Sequence, residues 1–292
     1  MAVIAVVFDF DDTLVPDSTT LLFKHYEIDS DRMWSVEAKK LVNQGYDPPL
    51  AYLRLILDRV GPGKEFGELT NAMLRDFGKT LDSKFFPGAP ELFSDLRQLL
   101  VDGKYRDITV EFYVISGGLE EVIAGSSVIT SNFSGYYGCQ FGENETTGQV
   151  SYIKRCITFT EKTRYLFEIH KGIPASDSKT KPHLVNQMID MDKRRVPFDQ
   201  MIYIGDGLTD IPCFSLINSS KGVTFGIFQL DPESAKQKYL EFAKTDRVKS
   251  LHSPKYGPGD DLGAMIRAAV ANIATSILQS ESGRVNSRSE RT

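Results

Sequence analysis

The sequence predicts an α/β protein: a parallel sheet core with helices on both faces, plus an inserted helical segment and a β-hairpin. Three observations lead there. Val3 to Phe8, Thr109 to Ile115 and Gln200 to Ile204 are mostly apolar runs rich in β-branched and aromatic residues, as expected of strands buried on both faces. Each run ends abruptly in a polar or glycine-rich stretch: Asp9 to Thr13, Ser116-Gly117-Gly118, and Gly205 to Asp210. Helical periodicity fills most of the chain between them.

The first run delivers Asp9, Asp11 and Asp12 to one point. Two carboxylates about 4 Å apart repel by roughly 4 kcal/mol at an effective dielectric of about 20, so such a cluster needs a reason. One reading is a solvated acidic turn. The other is a cation site at a strand's carboxyl end, where open α/β sheets bind ligands.

From Thr19 to about Leu81 the apolar period is helical. Trp34, Ala38, Leu41 and Val42 form one stripe, Leu50, Leu53, Leu57 and Val60 a second, and Leu69, Met73, Phe77 and Leu81 a third. Turn residues at Gly45 to Pro49 and Gly61-Pro62-Gly63 separate them. Phe86-Pro87-Gly88 marks the return to the sheet, followed by a helix with Pro90 in its first turn and Leu92, Phe93, Leu96, Leu99 and Leu100 on one side. After the second strand a helix is expected from Leu119 to about Ile129, which would put the Gly117 and Gly118 amides near its N-terminus, a place that favours an anion. The same tripeptide also suits an ordinary glycine turn.

Phe133 to Phe159 reads as a β-hairpin over or beside the sheet. A helix follows from Thr160 to Lys171, with Lys162 in its first turn, where a cation opposes the helix dipole unless an anion pairs with it. Lys181, just before Pro182, is a second candidate for such a pairing. Val223 to Ile227 is expected to be a strand, Pro232 to Lys244 a helix, and Leu262 to Leu278 an amphipathic final helix. The polar stretch from Gln279 to Thr292 is expected to be disordered.

Composition narrows the functional classes. With 292 residues, 41% of them hydrophobic, the chain can fill a core domain and a smaller one. The net charge of -5 and pI near 5.5 provide no general attraction for nucleic acid, which leaves small metabolites or proteins as the better partners. Cys139, Cys156 and Cys213 are too few and too scattered for a disulfide framework or a zinc site, and favour reduced thiols and a cytoplasmic home. The N-terminal apolar run lacks a basic flank and stops at Asp9, so it reads as a strand rather than a signal peptide or membrane span.

Three strand ends thus supply, in order, carboxylates, a Ser-Gly-Gly and two further carboxylates. Their order and residue types resemble the haloacid dehalogenase-like hydrolase superfamily. Its first motif, Asp-x-Asp-x-Thr, matches Asp9, Asp11 and Thr13; its second, a Ser or Thr after a strand, matches Ser116; its fourth, Gly-Asp-x-x-x-Asp, matches Gly205, Asp206 and Asp210. The match covers roughly residues 1–16 and 87–228.

The resemblance implies a Rossmann-like catalytic core over residues 1–16 and 87–278, with residues 17–86 as a helical cap placed as in phosphoserine phosphatase-like members. It makes Asp9 a nucleophile that forms an aspartyl-phosphate, and Asp11 the general acid and base. Thr13 would position the loop, and Ser116 and the Gly117 amide would bind phosphate oxygens. Mg²⁺ would be held by Asp9, Asp206 and the backbone carbonyl of Asp11, with Asp210 close by. The third-motif lysine would be Lys162 in preference to Lys181, although its distance from Asp206 along the chain exceeds the family's usual spacing.

Arg32, Arg54 and Arg59 are basic candidates of the cap, each more simply read as part of a solvated helix face. Asp17 and Ser18 could also face substrate. The expected function is Mg²⁺-dependent hydrolysis of a small phosphomonoester metabolite, with no nucleic acid or membrane partner. Within the family, the presence of Asp11 disfavours a dehalogenase or a transport ATPase. A phosphotransferase or phosphomutase using the same intermediate, and a non-catalytic binding protein on the same fold, are the alternatives.

Overall fold

The structure is a computed structural model that describes residues 1–102, 105, 107–228 and 250–289. Its strands are β1 (Ala2–Phe8), β2 (Ile108–Leu119), β3 (Gly135–Glu143), β4 (Val150–Arg155), β5 (Met201–Gly205), β6 (Val223–Ile227) and β7 (Leu251–His252). They form one seven-stranded sheet in the order β4-β3-β2-β1-β5-β6-β7. All neighbours are parallel except β3 and β4.

The register explains why the polar strand ends meet. Phe8, the last residue of β1, lies opposite Val114 of β2 on one side and Ile204 of β5 on the other. The residues that follow these three positions therefore lie together at the carboxyl end of the parallel strands. The Asp9 amide tightens this arrangement by donating to the Ile204 carbonyl at 2.8 Å.

Side-chain alternation places helices on opposite faces. Helix α6 (Ala89–Val101) presents Phe93 to Phe8, with ring centroids 6.1 Å apart. Tyr203 is one position out of phase with Phe8 in the paired register and meets Phe214 of α11 (Ile211–Ser219) at 5.5 Å on the other face. Helix α9 (Glu161–Lys171), followed by the short α10 (Ala175–Thr180), buries Tyr165, Leu166 and Ile169, the side the periodicity predicts. Helix α12 (Asp261–Ser289) buries Leu262, Ile266, Val270, Ile273 and Ala274. Its stretch Asp261–Ser280 has the length and apolarity of a membrane span, but this packing is that of a core helix.

Between β1 and β2 lie α1 (Ser18–His25), α2 (Ser30–Arg32) running through a π-helical stretch Met33–Ala38 into α3 (Lys39–Asn43), α4 (Pro48–Asp58) and α5 (Asn71–Lys79). Asp17, Asp29 and Thr70 cap α1, α2 and α5 by accepting hydrogen bonds from backbone amides in the first turn. The stripes are rotated slightly from those predicted. Helix α4 buries Ala51, Tyr52, Leu53, Leu55 and Ile56, while α5 buries Leu74 and leaves Met73 exposed.

Four expectations need correction or qualification. Strand β2 continues through Ser116-Gly117-Gly118 to Leu119, with an irregular register between Ile115 and Leu119, because two glycines continue an extended chain without side-chain conflict. The helix expected from Leu119 is instead α7 (Glu120–Gly125) and α8 (Ser127–Asn132), divided where Ser126 becomes extended and caps α8. Gly117 and Gly118 thus belong to β2, and α7 opens with Glu120 and Glu121 in its first turn.

The hairpin extends the sheet, since β3 pairs with β2 in parallel and β4 closes that edge. The last helix runs past Gln279 to Ser289, since adding residues to an established helix avoids a new nucleation cost. The helix expected at 232–244 lies outside the described residues.

Candidate active site

Two aspartates from different strand ends share one lysine. Lys162 Nζ donates to Asp9 Oδ2 and to Asp210 Oδ1, each at 2.7 Å. Lys162 is only 1% exposed, although it sits in the first turn of α9. The carboxylates supply the pairing that its unfavourable helix position requires. Lys181 is exposed, and among the described residues its ammonium reaches only Asp177, at 3.5 Å. The two candidate lysines are therefore separated by tertiary position, not by local sequence.

Asp9 also accepts the Phe10 amide at Oδ1, 2.7 Å away. Asp210 is held from three directions: by Lys162, by the Tyr203 hydroxyl at 2.7 Å, and by the Gly207 amide at 3.0 Å. Gly205 makes room for this carboxylate, because a Cβ there would stand 2.5 Å from Asp210 Cγ. Asp206 completes a carboxylate cluster in which ligand oxygens of Asp9, Asp206 and Asp210 all lie within 4.8 Å of one another. Hard oxygen donors converging on one point fit a Mg²⁺ ion, and the ion's charge would offset their repulsion. The Asp11 side chain is not part of this cluster.

Asp11 faces a different set of groups. Its Oδ1 accepts the Ser18 amide at 2.7 Å, while its Oδ2 stands 2.4 Å from the position a Gly118 Cβ would occupy. That same Cβ position is 3.3 Å from Ser116 Oγ, so the absence of a side chain at Gly118 lets the acid and the serine pack against this glycine. Asp12 takes φ +54°, a left-handed conformation aspartate tolerates better than most residues. This gives it a part in turning the chain between Asp9 and Thr13. The Tyr256 hydroxyl secures the turn by donating to the Thr13 carbonyl at 2.6 Å. Thr13 Oγ1 is buried without a hydrogen-bond partner among the described residues.

Burial raises the pKa of both acids. For Asp9 it outweighs the opposing pull of Lys162, while the charges of Asp210 and Asp206 push further up, to about 7. Burial is also the largest cause for Asp11, aided by the charge of Asp17 and opposed by the hydrogen bonds from Ser18; its pKa lies well above the usual carboxylate range. Burial opposes the Lys162 ammonium, but Asp210 and Asp9 more than compensate and keep it charged.

These shifts have a consequence for stability. An unfolded aspartate titrates near pH 3.9. Above that pH the folded chain holds more protons than the unfolded one, so this contribution is full at acid pH and fades as pH rises through each folded pKa, about 7 for Asp9. Removing the Asp11 charge should relieve its share. Metal-free Asp11→Asn protein is expected to melt a few degrees above the unsubstituted protein at pH 8, with the advantage shrinking toward pH 5. Thermal melts in chelator at the two pH values check this, and a pH-independent difference would contradict it.

The remaining candidates are placed elsewhere. Arg54 pairs with Asp58 at 2.8 Å, while Arg59 and Arg32 both reach Glu37. None of these contacts is with the Asp9 cluster. Asp17 caps α1, and Ser18 acts through its amide on Asp11. Ser116 Oγ and Asp11 Oδ2 both lie close to Gly118, the residue after Gly117. Two tyrosines were not anticipated: Tyr203, visible in sequence only as one aromatic in a buried strand, and Tyr52, whose hydroxyl donates to the Gly117 carbonyl at 2.6 Å. The cysteines that look scattered in sequence are partly brought together, since Cys139 and Cys156 lie near enough for each thiol to influence the ionisation of the other.

This architecture is shared with a solved HAD family hydrolase from Salmonella enterica subsp. enterica serovar Typhi. The match has a TM-score of 0.50 at 13% identity and covers 80% of this chain and 64% of that one. A gene product from Archaeoglobus fulgidus gives a TM-score of 0.45 at 12% identity, covering 76% of this chain and 73% of its own. On the Salmonella match the chain has the haloacid dehalogenase-like fold, and it spans slightly less than two thirds of that protein. No family model matches it. A curated relative, an uncharacterized protein of Borreliella burgdorferi, is 28% identical over 285 residues, covering 89% of this chain and 94% of its own.

Proposed function

We propose that the protein is a Mg²⁺-dependent phosphatase that hydrolyses a small phosphomonoester through an aspartyl-phosphate. The observation that carries this reading is the Lys162 ammonium bound to both Asp9 and Asp210, with Asp206 in the same carboxylate cluster. A buried cation against one carboxylate suits an anionic nucleophile that must receive an anionic substrate.

In this reading an Asp9 carboxylate oxygen attacks phosphorus, and the bond from phosphorus to the ester oxygen breaks. Asp11, kept protonated by its surroundings, gives its proton to the departing oxygen. The resulting Asp11 carboxylate then takes a proton from water as that water attacks the phosphoryl group, which restores Asp9 and releases inorganic phosphate. The Ser116 hydroxyl and the Gly117 amide hold phosphoryl oxygens, and Thr13 belongs to the turn that presents Asp9 and Asp11. Lys162 neutralises the nucleophile and the incoming phosphoryl group. Asp9, Asp206 and the Asp11 backbone carbonyl would hold Mg²⁺, with Asp210 beside them chiefly to position Lys162. The ion would supply charge neutralisation at the phosphoryl oxygens.

Residues 17–86 serve in this reading as the cap of a core formed by 1–16 and 87–278. Tyr52 brings α4 against Gly117, which favours a small phosphorylated metabolite over a bulky substrate. The three free thiols suit a reducing cytoplasm.

Para-nitrophenyl phosphate provides the direct test. The protein should release nitrophenol with Mg²⁺ and lose that activity in excess chelator, and Mg²⁺ should raise its melting temperature more at pH 8 than at pH 6, where protons compete for the carboxylates. Absence of metal-dependent release would refute the proposal. Recovery of phosphate on a sugar acceptor instead of in solution would indicate a phosphotransferase.

A further inference from the structure

The peptide unit joining Gly117 and Gly118 is held at both ends. Its carbonyl accepts the Tyr52 hydroxyl at 2.6 Å and the Cys139 thiol at 3.2 Å. Its N–H, on Gly118, donates to Ser116 Oγ at 3.0 Å. Hydrogen bonding at an amide carbonyl polarises the amide and strengthens the donation made by its N–H. Tyr52 and Ser116 are thus connected through one peptide group.

The connection fixes which way the serine can act. A hydroxyl has one proton to donate, and Ser116 Oγ already accepts from Gly118. Among the described residues no acceptor takes the Ser116 proton. Ser116 Oγ and Asp11 Oδ2 both lie close to Gly118, whose missing Cβ would stand 3.3 Å from the first and 2.4 Å from the second. The serine therefore has its donor capacity left for a group arriving beside Asp11.

Tyr52 belongs to α4, 65 residues before Gly117 in the chain. Its ring is buried and lies 6.0 Å from that of Trp34, whose Nε1 donates to Thr20 Oγ1 at 2.7 Å. The helical insertion thus holds the tyrosine from behind. We propose that Tyr52 is a positioning residue: seated by the insertion, it holds the Gly117–Gly118 peptide so that Ser116 directs its hydroxyl proton to the substrate phosphoryl group. This rests on the phosphatase reading of the site and adds to it a link between insertion docking and phosphate binding. Tyr52 touches no reacting atom.

Tyr52→Phe keeps the ring and removes only the hydroxyl. It should lower kcat/KM for para-nitrophenyl phosphate roughly three- to tenfold, the scale of one lost hydrogen bond, and weaken inhibition by inorganic phosphate in parallel. In a Ser116→Ala background the same substitution should have almost no further effect. A tyrosine with a merely structural role would instead give losses that multiply.

An activity-free readout is the Gly118 amide in an NMR spectrum of the metal-free protein. Tyr52→Phe should move its proton resonance upfield and speed its hydrogen exchange. Multiplying losses in the double variant, or an unmoved Gly118 amide in a folded Tyr52→Phe protein, would overturn the proposal. If the unsubstituted protein shows no phosphatase turnover, it is the functional reading that fails, and the Gly118 amide still decides whether the coupling exists. Should Tyr52→Phe not fold, Cys139→Ala removes the second donor to the same carbonyl and should shift the Gly118 amide in the same direction by less.

Discussion

Asp9→Asn is expected to reduce phosphomonoester turnover by at least about 10³-fold, since an amide cannot replace a carboxylate nucleophile. The substitution is nearly isosteric, so the fold should survive it. The side-chain oxygen of asparagine can accept the Phe10 amide, and Lys162 keeps its bond to Asp210. It also removes a carboxyl that burial has raised to about 7 but turns an amide NH2 toward the Lys162 ammonium, so the metal-free variant should lose less stability at pH 8 than Lys162→Met does. Steady-state kinetics with Mg²⁺ and a chelator-treated melt check the two halves separately. Undiminished turnover in a folded Asp9→Asn protein would remove Asp9 from the role of nucleophile.

Lys162→Met is expected to damage both activity and stability. Its ammonium is the shared partner of two carboxylates that are otherwise close together and buried. Breaking such an arrangement from one side costs about 3–5 kcal/mol, because the remaining charges are left poorly compensated. A loss of this size should lower the melting temperature by 10 °C or so at pH 8, with partial recovery at acid pH as the carboxylates become neutral. Turnover should fall by about 10²- to 10³-fold, the range for losing a preorganised electrostatic contact.

Lys181→Met is the control. That side chain is exposed and weakly paired with Asp177, so activity and melting temperature should stay close to those of the unsubstituted protein. A larger loss of activity at Lys181 than at Lys162 would reverse the assignment.

The contrast between these lysines shows where sequence reasoning stops. Both stand near a helical start, and neither local context reveals what lies opposite. The carboxylates that decide between them are separated from Lys162 by 153 residues in one direction and 48 in the other. The three helical arginines illustrate the same limit. Their charge made them candidates, but their partners are acids of the insertion itself.

Asp12 differs again. Its sequence position indicated no chemistry, and its positive φ assigns it to the turn rather than to the acid cluster. Ser116-Gly117-Gly118 was legible as a polar strand end but not as continued strand, since glycine's freedom suits both a turn and an extended irregularity.

By itself the sequence determined the α/β class, the strand runs and the three polar strand ends, because burial on both faces demands continuous apolar residues and such runs stop where side chains reach water. It also placed Asp9, Asp11, Ser116, Asp206 and Asp210 in an order with chemical meaning. Only the tertiary structure decided that Lys162 bridges Asp9 and Asp210, that Tyr203 and Gly207 hold Asp210, and that Tyr52 reaches the Gly117 carbonyl. The physical reason is range. Periodicity and turn chemistry act over a few neighbouring residues, whereas these contacts depend on strand register and on how the helical insertion packs against β2, which no short stretch of sequence specifies.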